Sequence, residues 1–354
     1  MHKNSNNLSK KILSWYDNNR RLLPWRISPN SKKNQYYRII SEFMLQQTQV
    51  KTVIPYFKNF VKEVPNLSVL KKMNSKKILK LWEGLGYYRR AKNLHETSKI
   101  ILNRFSGKVP RDYKTLISMP GIGEYTASAI LAISFDQNTN VIDGNIERVM
   151  CRINGIKKRV DLAKKEIKLI SSKYIPDKKN SLYVQGLMDI GATICTPKKT
   201  LCSKCPVNIY CKVAFRKTSV LLPLKKGKLV KPIRKGTFFC YVKERKKVLF
   251  FKNNDNGLFS NMFVLPSKGF EGKSFSLEEL NLKVISKKRV VPIIVYHKFT
   301  HFDLEAKTVI YELKDIDTQK PYEFIDFSDL ENKPVPNLFK KIINCIKDDL
   351  NINV

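Results

Sequence analysis

The sequence predicts a chain with an all-α part over about the first 215 residues and an α+β part after residue 235. Apolar residues recur at helical spacing in the first part, as they do from Tyr36 to Met44. After residue 235, short runs rich in β-branched and aromatic residues predict strands instead. The basic residues 216–235 lie between the two and contain Pro and Gly, which is typical of a linker. The chain of 354 residues is long enough for two or three domains.

Taken in order, the predicted helices are separated by short polar loops, most of which contain Pro or Gly. The first helix places Leu8, Ile12 and Trp15 on one side. The helical segments that follow it are Tyr36–Met44, Val50–Val61, Ser75–Trp82, Arg89–Phe105, Tyr113–Ser118, Tyr125–Phe135, Asn145–Asn154, Asp161–Lys173 and Ser181–Cys195. The predicted strands are Thr237–Val242, Val248–Phe251, Met262–Leu265, Val290–Tyr296 and Lys307–Leu313, and an amphipathic helix, Asn337–Leu350, ends the chain.

The charge balance favours a polyanionic partner. Lys and Arg number 67 against 30 Asp and Glu, a net charge of +37, which suits DNA, RNA or an anionic membrane. The sequence is rich in Lys, Asn and Ile throughout, so many of the lysines can be solvated without any partner. Since neither a secretion signal nor a membrane-length apolar run is evident, we expect a cytoplasmic protein with no membrane contact. Seven cysteines, an odd number, argue against a disulfide framework.

The turn Pro120–Gly123 joins two predicted helices. Proline cannot continue the helix before it, and Gly121 and Gly123 allow close backbone approach. Backbone N–H groups at the start of the next helix suit a phosphate, and such a unit grips a nucleic-acid backbone without reading bases. A plain tight connection is the alternative. Asp143 follows in a later turn, either near a gripped strand or as the cap of the helix that begins near Ile146.

Four cysteines form the pattern C-x6-C-x2-C-x5-C in one short segment. They are Cys195, Cys202, Cys205 and Cys211. Four thiolates of one loop can converge on a single metal centre, and both zinc and a [4Fe–4S] cluster accept four cysteines. Zinc ribbons usually pair two C-x2-C motifs across a longer gap, so the spacing favours iron–sulfur and leaves zinc open. Cys151, Cys240 and Cys345 have apolar neighbours and are interpreted as core residues.

The hairpin, its downstream aspartate and the cysteine spacing together resemble the helix-hairpin-helix DNA glycosylases that carry an iron–sulfur loop. Within them the chain is similar to the adenine DNA glycosylase (MutY) family, through segments 41–48 (SEFMLQQT), 82–90 (WEGLGYYRR) and 141–145 (VIDGN). The resemblance covers nearly the whole chain, most strongly from Trp25 to Cys211. It implies a [4Fe–4S] cluster on the four cysteines.

The resemblance also implies a domain order and an activity. The implied domains are an iron–sulfur helical domain at 1–29 and 136–215, a six-helix domain at 30–135, a basic linker at 216–235 and a Nudix-like 8-oxoguanine recognition domain at 236–354. The last lacks a recognisable Nudix signature after Lys235, so it should bind rather than hydrolyse. The implied partner is double-stranded DNA with 8-oxoguanine:A or G:A mispairs, attacked by a monomeric enzyme that excises the adenine and leaves an abasic site.

Four residues would carry the chemistry. Glu42 lies three residues after Ile39, at the flank of an apolar stripe, where partial desolvation would raise its pKa and let it protonate adenine. Without the surrounding motif, an ordinary solvated glutamate would be the better interpretation. Asp143 would stay ionised beside the developing sugar cation, as an electrostatic partner or a covalent nucleophile, with help from Asn145. Tyr125 would supply a hydroxyl on the sugar side.

By resemblance, further residues would contact DNA. Gln47, Leu85 and Tyr87 would fill the gap left by the flipped adenine, with Tyr87 as the intercalating wedge, and Gly121 and Gly123 would approach the backbone. The segment 299–301 (FTH) matches the Phe-Ser-His loop of the family with one departure, because threonine replaces serine. On this basis Phe299, Thr300 and His301 would contact 8-oxoguanine.

Two other hypotheses fit parts of the sequence. An endonuclease III-type glycosylase/lyase would excise oxidised pyrimidines, but that branch has a lysine at the position of Tyr125 and lacks the equivalent of Glu42. An iron–sulfur protein that binds DNA without catalysis is the third hypothesis, and the presence of both Glu42 and Asp143 argues against it.

Overall fold

A computed structural model of the chain describes residues 2–28, 31, 33–224, 226–227, 230–253, 258–269, 285–299, 301–313 and 322–352. The described contacts divide the chain into two compact units. The first comprises Met1–Lys72 and Asn93–Lys228, and the second comprises Met73–Lys92 and Leu229–Val354. The segment Met73–Lys92 therefore groups with the C-terminal strands, although the sequence suggests that it belongs to the six-helix domain. The finer predicted domain boundaries stay predictions.

Helices form where the apolar periodicity predicts them. Their bounds are α1 His2–Asn19, α2 Asn34–Leu45, α3 Val50–Glu63, α4 Leu67–Lys72, α5 Ser75–Leu81, α6 Arg89–Phe105, α7 Tyr113–Ile117, α8 Glu124–Phe135, α9 Gly144–Asn154, α10 Val160–Ser172, α11 Asn180–Thr193 and α12 Asn337–Asp349. The predicted all-α part is confirmed. The six-residue α4 was not predicted, because only two of its side chains, Leu67 and Leu70, are buried and mark a face.

The core of the first unit surrounds α8. Its Ala and Ile side chains are buried on nearly all sides, so neighbouring helices can pack around it. Helix α11 packs against α1, α8 and α9. Small residues permit this close approach: a Cβ on Gly186 of α11 would lie 2.8 Å from Ile12 Cγ2 of α1. The result is a rigid frame for the starts of α8 and α9.

A buried ion-pair cluster ties the N-terminal segment to α11. The side chain of Asp189 is fully buried and accepts bonds from Arg26 Nη1 at 2.6 Å and Arg21 Nε at 2.6 Å. Burial alone would raise the pKa of Asp189, but the bonds from Arg26 and Arg21 outweigh it and lower that pKa. If the N-terminal segment moved away, Asp189 would be left as an uncompensated buried charge. The cluster therefore holds that segment against α11.

Within the described residues, the second unit contains a seven-stranded mixed sheet. Its strands are β1 Ile233–Lys243, β2 Lys247–Lys252, β3 Phe263–Val264, β4 Ser267–Lys268, β5 Ile285–Lys298, β6 Asp303–Leu313 and β7 Tyr322–Asp326. The main order is β3-β2-β1-β6-β5, with β4 paired to β1 and β7 to β2. Strands β1 and β6 are parallel, from Ile233 opposite Asp303 to Lys243 opposite Leu313.

Helix α12 packs on this sheet, where Phe339 meets Phe238 with ring centroids 5.4 Å apart. The predicted α+β architecture is thus confirmed. Strand β1 begins inside the predicted linker. Strand β4 was not predicted because it has only two residues, and β7 was not predicted because acidic residues interrupt its apolar run. Among the described residues, none of the helices has the length and apolar character needed to cross a membrane.

Candidate active site

The carboxyl group of Glu42 lies in the interior of the first unit. Helix α2 buries Tyr36, Ile39, Phe43 and their apolar neighbours. Glu42 is buried with them, and only 3% of its surface is exposed. Burial raises the pKa of Glu42, because the carboxylate loses water, and Arg38 one turn earlier opposes this rise. Arg38 Nη1 lies 3.5 Å from Glu42 Oε1. The other oxygen, Oε2, has no hydrogen-bond partner within the described part of the chain.

Tyr125 meets Glu42 from the first turn of α8. The pKa of Tyr125 is raised by burial first and then by the charges of Glu42 and Asp143, so its hydroxyl lies close to Glu42. Asp143 in turn raises the pKa of Glu42. The structure therefore brings together three predicted residues that are far apart in the sequence: Glu42 within α2, Tyr125 in the first turn of α8 and Asp143 at the cap of α9.

Asp143 is held by the N-terminus of α9. Its Oδ1 accepts from the backbone N–H of Asn145 at 3.0 Å and of Ile146 at 2.7 Å, and its Oδ2 accepts from Asn145 Nδ2 at 2.9 Å. The capping interpretation of Asp143 is confirmed by these bonds. Capping is compatible with a chemical role, since these bonds fix the position of the carboxylate. Asn145 takes the supporting position that was predicted for it.

Arg148 connects Asp143 to the cysteine segment. Its Nη2 donates to Asn145 Oδ1 at 2.9 Å and to the Gly191 carbonyl at 2.6 Å, while its Nε donates to the Cys195 carbonyl at 2.8 Å. Because the amide oxygen of Asn145 accepts from Arg148, its nitrogen faces Asp143. A Cβ on Gly191 would lie 2.6 Å from Asn145 Cβ, so only glycine permits this crossing of α9 and α11.

Replacing Arg148 with methionine should lower the adenine excision that the resemblance implies by about 10- to 100-fold, because hydrogen bonds from a charged group contribute roughly 1.5–3 kcal/mol each. Single-turnover rates and duplex affinity would separate a loss of chemistry from a loss of binding. Arg159→Met is the matched control, since Arg159 pairs with Asp161 in an exposed position. Equal effects of both variants would contradict the inference that Arg148 links Asp143 to the cysteine segment.

The turn between α7 and α8 is built for close packing. Gly121 has φ +77°, and a Cβ there would lie 2.8 Å from both Phe43 Cε1 and Asn93 Cβ. Its carbonyl accepts from Gln46 Nε2 at 3.0 Å, and the Pro120 carbonyl accepts from Thr97 Oγ1 at 2.9 Å. These contacts fix the hairpin next to Glu42. Gly123 is exposed at the start of α8, where the predicted phosphate contact stays a prediction.

The four predicted cysteine ligands line a single small cavity. They are Cys195, Cys202, Cys205 and Cys211. Two short 3-10 helices, Cys202–Lys204 and Asn208–Tyr210, bend the chain around it. Apolar side chains such as Val149 and Ile190 complete the wall. In the described residues, no group of three His, Cys, Asp or Glu side chains is close enough to hold a single metal ion.

Arg152 supplies positive charge at this cavity. It is 2% exposed, and its Nη1 lies 3.2 Å from Cys195 Sγ and 2.8 Å from the Thr196 carbonyl. Its Nε donates to the Leu222 carbonyl at 2.9 Å. Burial raises the pKa of the Cys205 thiol to about 12, so a compensating cation or cluster is needed for that thiolate to form. The donor set and the nearby guanidinium fit an iron–sulfur cluster.

The predicted DNA-contacting residues lie in both units. In the first, Gln47 is exposed with φ +57°. In the second, Tyr87 is 44% exposed with φ +48°, whereas the Leu85 side chain is 5% exposed and packs inward. Phe299 is partly buried, and His301 is exposed. Thr300 lies outside the described residues, and the contacts of all these residues with DNA stay predictions.

The sequence interpretation missed Arg38, Arg148 and Arg152. Each is buried and makes contacts that only the folded chain brings together. For Arg38, the i,i+4 spacing to Glu42 was an available signal. Arg148 and Arg152 lie on α9 behind Asp143, one turn apart, which could have indicated a shared face.

Comparisons with known proteins agree with this geometry. Residues 40–176 match the family described as HhH-GPD superfamily base excision DNA repair protein. An adenine DNA glycosylase of Buchnera aphidicola (subspecies Schizaphis graminum) is 36% identical over 347 residues, covering 96% of this chain and 98% of the relative. The Mus musculus adenine DNA glycosylase is 39% identical over 212 residues, which covers 58% of this chain and 41% of the relative.

Among solved structures, a thermostable thymine-DNA glycosylase superposes with a TM-score of 0.53 at 27% identity, covering 60% of this chain and 98% of that one. This likeness extends over the helical part, and the curated relative from Buchnera extends over nearly the whole chain. The family suggested by the hairpin, the aspartate and the cysteine spacing is thereby confirmed. The chain belongs to the adenine DNA glycosylase family of the HhH-GPD superfamily.

Proposed function

We propose that this protein is a monofunctional adenine DNA glycosylase of base excision repair. The observation that carries the proposal is the meeting of Glu42, Tyr125 and Asp143 in one partly buried site. Burial raises the pKa of the Glu42 carboxyl group, and the backbone N–H groups of Asn145 and Ile146 hold the Asp143 carboxylate in place. Such a pair supports acid-assisted cleavage of a glycosidic bond.

In the proposed reaction Glu42 donates its proton to N7 of the adenine. The C1′–N9 bond then breaks, its electron pair leaves with the neutral base, and positive charge develops on the sugar. The Asp143 carboxylate stabilises that charge, while its own position is fixed by Asn145 and the α9 backbone. Water adds at C1′ and loses a proton, which yields an abasic site.

The position of Tyr125 argues against strand cleavage. A glycosylase/lyase needs an amine nucleophile that forms a Schiff base with the sugar, and this chain presents a phenol there. Incubation of the protein with an adenine-containing duplex should therefore give breaks only after alkali treatment. Borohydride should trap no covalent protein–DNA complex. Alkali-independent breaks together with trapping would contradict a monofunctional reaction.

Excision should decline as pH rises through the pKa of Glu42. Burial raises that pKa above its ordinary value, so the protonated, donating form persists to higher pH than in water and is lost above the raised pKa. Single-turnover rates across a pH series would report this basic limb. A rate that instead increased with pH over the same range would contradict Glu42 as the proton donor.

We further propose that the substrate is duplex DNA with adenine opposite 8-oxoguanine or guanine. The net charge of +37 supports a polyanionic partner. The exposed Tyr87 would fill the gap after the adenine flips out, and Phe299 and His301 would contact the opposite base. Residues 299–301 form the predicted recognition segment. Lys231 Nζ holds the start of this segment by donating to the Phe299 carbonyl at 2.7 Å. We expect the enzyme to act as a cytoplasmic monomer.

We also propose that Cys195, Cys202, Cys205 and Cys211 hold a [4Fe–4S] cluster. When bound, the cluster would cross-link the loop and so hold the Cys195 backbone in place for Arg148. The four cysteines line one common cavity together with the buried Arg152, which supports this proposal.

Removal of the cluster should therefore lower thermal stability and excision together. The purified protein should contain iron and acid-labile sulfide in equal amounts, and Cys202→Ser should lose both. A protein that binds one zinc ion per chain, without sulfide, would contradict the assignment.

A further inference from the structure

A partly buried charge cluster lies on the loop that carries Tyr87, within the second unit. Glu83 follows α5, and only 9% of its side chain is exposed. Its Oε2 lies 2.6 Å from Lys80 Nζ, and its Oε1 lies 2.5 Å from Lys340 Nζ of α12. Lys340 also contacts Glu331 Oε2 at 2.7 Å. The Glu83–Lys340 pair thus joins the loop to the C-terminal domain.

This pair differs from an ordinary surface ion pair. Exposed pairs contribute little, because water screens the charges and long side chains lose entropy. Here Glu83 is nearly buried and Lys340 is 18% exposed, and the neighbouring Phe339 is held in the core. A second contact, from Lys92 Nζ to Ser260 Oγ at 2.8 Å, joins the first turn of α6, just after the loop, to the same domain.

The loop between these two contacts is internally braced. Arg90 is 6% exposed, and its Nη2 donates to the carbonyls of Leu85 at 3.1 Å and Gly86 at 3.0 Å. Its guanidinium lies 5.3 Å from the centroid of the Tyr87 ring and 5.5 Å from that of Trp82. One buried guanidinium thus contacts Leu85, Gly86 and the Tyr87 ring, which links the residues that follow Glu83 to Tyr87.

An aromatic series connects the same ion pair to the predicted recognition segment. Phe299 contacts Phe259 with centroids 6.0 Å apart, and Phe259 contacts Phe339 at 5.4 Å. Phe339 immediately precedes Lys340, and Phe259 immediately precedes Ser260. The two residues that contact the loop region, Lys340 and Ser260, therefore each directly follow an aromatic residue of the ring series that starts at Phe299.

We infer that Glu83 and Lys340 are positioning residues, which set the Tyr87 loop relative to the segment that contacts the opposite base. The inference rests on the proposed function and deepens it. Contact with the correct opposite base fixes the position of the Phe299 ring. The rings of Phe259 and Phe339 and the Glu83–Lys340 ion pair then restrict the position of the Tyr87 loop. The preference for 8-oxoguanine over guanine opposite adenine then depends partly on Glu83.

The test compares single-turnover excision opposite 8-oxoguanine and opposite guanine in the full-length protein. Glu83→Gln should lower the ratio of the two rates by about tenfold, because it leaves Lys340 without its buried partner. Glu331→Gln is the matched control, since it removes the other carboxylate of Lys340 but does not touch the loop, and it should change the ratio less than about twofold. A Glu83→Gln/Lys340→Met double variant should lower the ratio of the two rates no further than Glu83→Gln does, because the ion pair is already lost.

Hydrogen exchange without DNA tests the same link independently of activity. Glu83→Gln should accelerate exchange of the amides in residues 84–90, and Glu331→Gln should not. If the wild-type protein excises no adenine, the proposed function fails while the exchange result still decides whether the ion pair orders the loop. Unchanged exchange, or an equal slowing opposite both bases, would overturn the inference.

Discussion

Replacing Glu42 with glutamine is expected to lower adenine excision by about 10³-fold, while duplex binding persists. Glutamine keeps the volume and the polar contacts of the side chain but has no proton to donate at neutral pH. Since burial raises the pKa of Glu42, the amide resembles the neutral acid and should be tolerated in the same site. Single-turnover rates on an adenine-containing duplex, together with binding to the same duplex, measure both parts of the expectation.

The exposed Glu63 at the end of α3 provides the control for this variant, because Glu63→Gln makes the same chemical change outside the site. Thermal unfolding of both variants checks that Arg38 tolerates the loss of its counter-charge. Substantial excision by a folded, DNA-binding Glu42→Gln protein would remove Glu42 from the mechanism. Loss of both binding and folding would instead assign it a structural role.

Asparagine in place of Asp143 is expected to lower excision by at least about 10²-fold, with little change in stability. Asparagine caps helices about as well as aspartate, so α9 keeps its hydrogen bonds to the cap. What disappears is the negative charge that would face the sugar cation. The substitution therefore separates the two interpretations of Asp143, which the sequence left open.

Asp112→Asn is the matched control for that experiment. Asp112 caps α7 by accepting from the Thr115 backbone N–H at 2.7 Å, and it is exposed and far from the chemistry in sequence. Both variants should unfold at nearly the wild-type temperature, and only Asp143→Asn should lose activity. Full activity in Asp143→Asn would mean that the aspartate serves the helix alone.

Local signals predicted the elements of the site well. Helical spacing placed Glu42 beside the apolar face of α2, and the structure buries it there. Proline and glycine at Pro120–Gly123 predicted the turn between α7 and α8, because few residues adopt that backbone at so little cost. The position of Asp143 before Gly144 predicted its capping bonds.

Features that depend on distant contacts were not predictable from one sequence. The bonds of Arg148 join α9, α11 and the cysteine segment, and no local pattern specifies which carbonyls an arginine will meet. The grouping of Met73–Lys92 with the C-terminal strands depends on pairs such as Glu83–Lys340, which are far apart in the chain. The inward packing of Leu85 likewise follows from the way Arg90 folds its loop.

The central claim is that this protein excises adenine and reads the base opposite it. Single-turnover excision should be compared on duplexes with adenine opposite 8-oxoguanine, guanine or thymine, and on one with an oxidised pyrimidine, each with and without alkali. We predict alkali-dependent breaks at adenine, fastest opposite 8-oxoguanine. Alkali-independent breaks at the oxidised pyrimidine, with every adenine untouched, would contradict the account and support a glycosylase/lyase instead.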